Sequence, residues 1–154
     1  MNDYGYKLKG ENMSWNIYLA GEIHSDWRES IADGVKAARL DVELLNPITH
    51  HQNSDDCGVH ILGDEGNPFW KDHKAATINA IRNRKLIHQA DLVVVKFGEK
   101  YRQWNAAFDA GFAAALGKEF GHALKEIDSA AAAVVEDDEQ VIEIIRYVIR
   151  GELI

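Results

Sequence analysis

The chain has 154 residues, 46% of them hydrophobic and 27% charged, which is the composition of one ordinary globular domain long enough to bury a core. A net charge of −8 argues against a nucleic-acid polymer or an anionic membrane as partner. No stretch approaches the roughly 20 apolar residues needed to span a bilayer.

The opening MNDYGYKLKGENM has no apolar segment of the kind a secretory signal carries. Cys57 is the single cysteine and cannot close an internal disulfide, which fits a cytoplasmic protein. Residues 1–13 are expected to be a flexible leader, with one domain over 14–154. Trp15–Gly21 is β-rich, ends on a small pair and reads as a first strand. Glu22–Arg28 forms a loop and a helix start, with Ser25 or Asp26 as N-cap and Glu29 within capping reach. Ile31, Val35 and Ala38 continue that helix to about Arg39.

Asp41–Asn46 is a second strand, ended by the turn signal Asn46-Pro47. The segment from Ile48 to about Phe69 is polar and glycine-punctuated without a clear period, and reads as a long loop. It holds His50, His51, Asp55, Asp56, Cys57 and His60, but no HxH, HExxH or CxxC spacing. A solvated loop is therefore expected in preference to a metal-dependent hydrolase, with no metal and no cofactor. Trp70–Ala90 follows as a helix with Ile78, Ile81 and Ile87 on its apolar face.

Asp91–Phe97 contains a buried-strand run, Leu92-Val93-Val94-Val95. A helix from about Gln103 past Leu116 then carries Trp104, Phe108, Phe112 and Ala115 as an apolar stripe. Asn105 and Asp109 are four apart and share the neighbouring face. Asp109 lies about 1.5 turns into the helix, where the dipole favours an ionised carboxylate, the form a nucleophile requires. The bland alternative is two polar positions beside a core stripe. Glu119–Ser129 reads as helix or loop, Ala131–Glu136 reads as a short strand, and Glu139–Arg150 is a periodic last helix. Strands alternating with helices imply a mostly parallel sheet covered on both faces.

Three blocks together carry a resemblance: Tyr18-Leu19-Ala20-Gly21 after the first strand, Asn46-Pro47 after the second, and AAFDAGFAAALGK after the third. Their order resembles the nucleoside 2-deoxyribosyltransferase superfamily. AGEIHSDWR, NPITHH and KYRQWNAAFDAG resemble its YtoQ-like branch, over about Met13 to Lys118. The resemblance implies a single-domain, three-layer α/β fold of Rossmann- or flavodoxin-like type. It also implies chemistry in which a helix carboxylate attacks the anomeric carbon of a deoxynucleoside, releases the base and holds a covalent sugar intermediate. A homo-oligomer and a small-molecule nucleoside or nucleotide substrate are expected on the same ground.

The nucleophile position of that motif falls on Asp109, with Asn105 to orient it. The transferases use glutamate there, one methylene longer. Their aspartate six residues earlier is Gln103 here, and the one after the third strand is replaced around Lys96-Phe97-Gly98. The acid that protonates the base must come from elsewhere: Glu22 or Asp26 first, with Asp72 and Glu99 as substitutes. The strand that should follow Gly117-Lys118 is absent, since the sequence runs Glu119-Phe120-Gly121.

Cations near a helix N-terminus suit an anion, so Arg28, Lys96, Lys100 and Arg102 point to a nucleotide or sugar phosphate. The alternative is ordinary surface charge. Trp27, Trp70 and Trp104 either stack a base or belong to the core. Gly21, Asn46, Asp72 and Gly98 complete the candidate substrate-binding set. A nucleotide or ADP-ribose-type binding protein, with the crevice kept and the chemistry lost, is the rival to the enzyme.

Overall fold

The computed structural model describes residues 14–98, 104–117, 119–121 and 133–151, so the expected leader 1–13 and the cations Lys100 and Arg102 lie outside the described residues. Strands β1 (Trp15–Gly21), β2 (Val42–Leu45) and β3 (Leu92–Lys96) form where β-branched and apolar residues run together. A short β4 (Glu119–Gly121) joins them. The described sheet has the order β2-β1-β3-β4, and all three pairings are parallel. Ile17 faces Leu92 and Gly21 faces Lys96 across β1 and β3, the central pair.

Five helices are described: α1 (Trp27–Ala37), α2 (His51–Leu62), α3 (Pro68–Gln89), α4 (Trp104–Ala115) and α5 (Asp138–Arg150). Successive side chains of a strand point to opposite faces, which splits the core into two. Ile17, Leu19, Leu92 and Val94 pack with Trp27, Ile31, Val35, Val141 and Ile145 of α1 and α5. Tyr18, Ala20, Val93 and Val95 pack on the other face with Ile87 of α3 and Ala106, Ala110 and Ala113 of α4. The result is a three-layer, parallel α/β fold of flavodoxin-like order.

Four expectations are corrected. The segment from Ile48 to Phe69 is not one loop, because α2 occupies its middle. Apolar periodicity does not mark this helix: it packs mainly on α3, through Gly58 and the half-buried Ser54 and Cys57. A Cβ on Gly58 would lie 2.5 Å from the backbone N of Ala75, so only glycine permits that approach. The strand expected to be absent after Lys118 is present as β4, paired to β3 from Leu92↔Glu119 to Val94↔Gly121. A strand continuing to Glu136 does not form: Ala133 makes a single bridge, and Asp137 already caps α5 by accepting from Gln140 N at 2.8 Å.

The fourth correction concerns α4. Its buried face is Ala106, Asp109, Ala110 and Ala113, whereas Trp104 is 72% and Phe108 60% exposed. Small residues let the helix lie close on β1 and β3, and this turns the aromatic stripe outward. Phe108 and Phe112 stack on one another at 6.2 Å, and Phe112 meets His88 of α3 edge-on at 5.4 Å.

Candidate active site

In sheets of this order the chain leaves neighbouring strands toward opposite faces, and a crevice opens outside their carboxyl ends. Here those strands are β1 and β3, followed by α1 on one face and α4 on the other. Gly21 ends β1 with φ of 105°, and a Cβ there would fall 2.0 Å from the carbonyl O of Lys96. Glycine is therefore required to bring the two strand ends together.

A cavity of about 370 Å³ stands above this point. Gly21 and Ile23 after β1 and Pro47 and Ile48 after β2 form one side. Asn105, Ala106, Phe108 and Asp109 of α4 form another, and Ser54 and Asp55 of α2 a third. The long wall is a stripe of α3: Asp72, then Ala75-Ala76, Asn79-Ala80 and Asn83-Arg84. The three- and four-residue spacing of that stripe was visible in the sequence, but alanines and amides there resemble an ordinary solvent face.

Asp109 is only 9% exposed, yet it borders the cavity. Tyr18, fully buried on β1 beneath α4, donates its phenol O–H to Asp109 Oδ2 at 3.5 Å. No cation among the described residues pairs with the carboxylate. Burial pushes the Asp109 carboxyl up to about 6, and the Tyr18 hydrogen bond pulls the other way. The helix dipole was expected to hold this group ionised, but dipole effects fade beyond the first turn and desolvation prevails. At neutral pH most molecules still carry the charge. Burial, together with the neighbouring Asp109, raises the Tyr18 phenol far above its ordinary range, so it stays a donor. Sequence reasoning missed Tyr18, whose place in a strand reads as core.

Of the expected site residues, Asp109, Asn105, Gly21 and Asp72 are brought together around the cavity. The others are not, among the described residues. Glu22 turns back on its own loop, where its carboxylate accepts from His24 N, Ser25 N and Ser25 Oγ. Burial is the largest single influence and raises its pKa, but the hydrogen bonds from Ser25 and His24 together outweigh it and hold Glu22 below the usual carboxylate range. A group kept ionised in this way is a poor acid. Asp26 caps α1 without a side-chain hydrogen bond and is exposed, off the cavity.

Arg28 is 8% exposed and directed inward: Nε donates to Leu19 O at 3.2 Å, Nη1 to Glu22 O at 2.6 Å and Nη2 to Gly21 O at 3.2 Å. The guanidinium fastens the loop after β1 instead of meeting a phosphate. Trp27 is core, with Nε1 donating to Glu22 O at 2.9 Å. Lys96 pairs with Asp138 of α5 at 3.1 Å. Trp70 is half-exposed against Phe69 and His73, and Trp104 stands outside the cavity, so none of the three tryptophans stacks over it. Gly98 and Asn46 also lie off the cavity, and Asn46 Oδ1 is buried without a partner among the described residues. The cavity thus presents, among the described residues, Asp55, Asp72 and Asp109 against one cation, Arg84. Among the described residues, no cluster of three or more His, Cys, Asp or Glu side chains is gathered as for a metal ion.

Residues 18–149 match the family model described as nucleoside 2-deoxyribosyltransferase YtoQ. The chain is also 40% identical, over 148 residues, to the Bacillus subtilis (strain 168) protein named "Uncharacterized protein YtoQ". That similarity covers 91% of this chain and 100% of the relative.

Proposed function

The chain belongs to the family described as nucleoside 2-deoxyribosyltransferase YtoQ, and on that premise we propose that it cleaves the N-glycosidic bond of a small nucleoside through Asp109. The observation that carries this reading is the Asp109 carboxylate itself, buried, unpaired by any described cation and bordering a cavity. An Asp109 oxygen forms a bond to the anomeric carbon as the carbon–nitrogen bond breaks, and the departing base keeps the electron pair and takes a proton. A second base, or water, then attacks the same carbon and frees the carboxylate. Asn105, one turn before Asp109 on the same cavity side, orients the sugar or the nucleophile. With Glu22 turned onto its own loop, Asp72 and Asp55 are the described carboxylates left to supply the proton.

Among the described residues the cavity's carboxylates outnumber its cations, which supports a neutral nucleoside over a nucleotide. The exposed Trp104 and Phe108 support a homo-oligomer, since large aromatics are enriched where subunits meet. No described helix is long and apolar enough to cross a membrane. The free thiol of Cys57 suits a cytoplasmic setting.

One observation favours a second reading. Neither Glu22 nor Asp26 faces the cavity, so a protein that binds nucleosides or ADP-ribose-like ligands without turnover is the alternative. Incubation with a panel of deoxynucleosides and their 5′-monophosphates, followed by chromatography for free base, separates the two. Release that disappears in Asp109→Asn establishes the enzyme, and binding without release establishes the alternative.

A further inference from the structure

Three carboxamides border the cavity, Asn79 and Asn83 of α3 and Asn105 of α4. Asn79 is the one whose orientation is fixed. Its Nδ2 donates to the carbonyl O of Ser54 at 3.0 Å and to Ser54 Oγ at 3.2 Å. A carbonyl oxygen only accepts, so turning the amide over would set oxygen against oxygen. The Asn79 Oδ1 therefore faces away from that carbonyl, accepts no hydrogen bond from the described residues, and is not sealed from solvent. Asn79 lines the cavity, so the wall holds in place a hydrogen-bond acceptor that no described residue satisfies.

Its height above the nucleophile follows from the helices. His88 and Phe112 bring α3 and α4 together, and both helices run from the cavity toward this contact. Asn79 precedes His88 by nine residues and Asp109 precedes Phe112 by three. At 1.5 Å of rise per residue, Asn79 is set back from this contact along α3 by roughly 9 Å more than Asp109 is along α4. An offset of that order leaves room for a sugar and its base between Asp109 and Asn79.

We propose that Asn79, pinned by Ser54, selects the base by accepting a hydrogen bond from an exocyclic amino group. Nucleosides of adenine and cytosine type then bind and react in preference to their oxo counterparts. The inference rests on the N-glycosidic reading above. An oxo group in that place would oppose two acceptors inside a partly desolvated cleft, and such mismatches are strongly rejected.

The test uses two pairs that differ by amino against oxo, deoxyadenosine with deoxyinosine and deoxycytidine with deoxyuridine. Base release gives kcat/KM and calorimetry gives affinity, for the full chain and for Asn79→Ala and Asn79→Leu. The wild type is expected to favour the amino member by about tenfold or more, with most of that preference lost in both variants. A ratio within each pair is insensitive to a general loss of folded protein. A wild type without preference in either pair overturns the proposal whether or not the variants fold, and so does a preference that survives in them. Binding that shows the preference, with no base released, supports Asn79 and sinks the glycosidic chemistry. Absence of binding for all four sinks both.

Discussion

The phenol of Tyr18, a fully buried residue of β1 beneath α4, reaches Oδ2 of Asp109 at 3.5 Å. One group of the pair is a lasting donor, and the other is a carboxyl that burial has lifted to about 6. Attack on a sugar needs the ionised carboxylate, so base release should rise with pH through about 6. Tyr18→Phe removes the hydrogen bond that favours ionisation. The acidic limb of the pH–rate profile should then move up by roughly half a unit to one unit. An unshifted limb would mean that Tyr18 serves packing alone.

The same shift bears on stability, with a definite sign. The folded pKa of Asp109, about 6, lies above its ordinary 3.8, so the fold binds this proton more tightly than the unfolded chain does. The favourable contribution is whole below pH 3.8 and is lost as pH rises through about 6. Above that, the folded protein carries a penalty of up to about 3 kcal/mol. Asp109→Asn should therefore be inactive yet more stable than wild type in urea at pH 8, with the gain shrinking toward pH 4. A variant less stable at both pH values would remove the burial argument.

Arg28 lends itself to a comparison of ligands. Its guanidinium holds three backbone carbonyls at the end of β1, so Arg28→Ala should destabilise the fold by roughly 2–4 kcal/mol. Affinities for a nucleoside and its 5′-monophosphate should fall together. Selective loss of the monophosphate would return Arg28 to the role first expected of it.

The outward stripe of α4 predicts an assembly. Trp104→Glu and Phe108→Glu should shift the sedimentation coefficient toward the monomer with little change in far-UV circular dichroism. If the wild type already sediments as a monomer, the stripe serves some other purpose.

The sheet was readable because Ile17–Ala20 and Leu92–Val95 are buried on both sides, and such runs have few alternatives. Helices α1 and α5 were readable for a related reason, each burying a regular apolar face. Helix α2 was hidden, since it meets α3 through a glycine and small polar groups that leave no periodic trace. The gathering of Asp109, Asn105, Gly21 and Asp72 around one cavity agrees with their choice from spacing and resemblance. Arg28, Trp27 and Lys96 were misplaced because residue type does not reveal whether a loop side chain turns toward the crevice or toward its own backbone. Tyr18 and the amides of α3 escaped notice for the converse reason, since strand core and helix surface are where such residues ordinarily belong.

The seat of α2 on α3, with Gly58 at the contact, gives the wall and the floor of the cleft different owners. Asp109 belongs to the central layers, while Ser54 and Asp55 belong to a helix attached mostly to another helix. Replacing residues of α2 alone would therefore redraw one side of the cleft while Asp109 and the sheet beneath it kept their places.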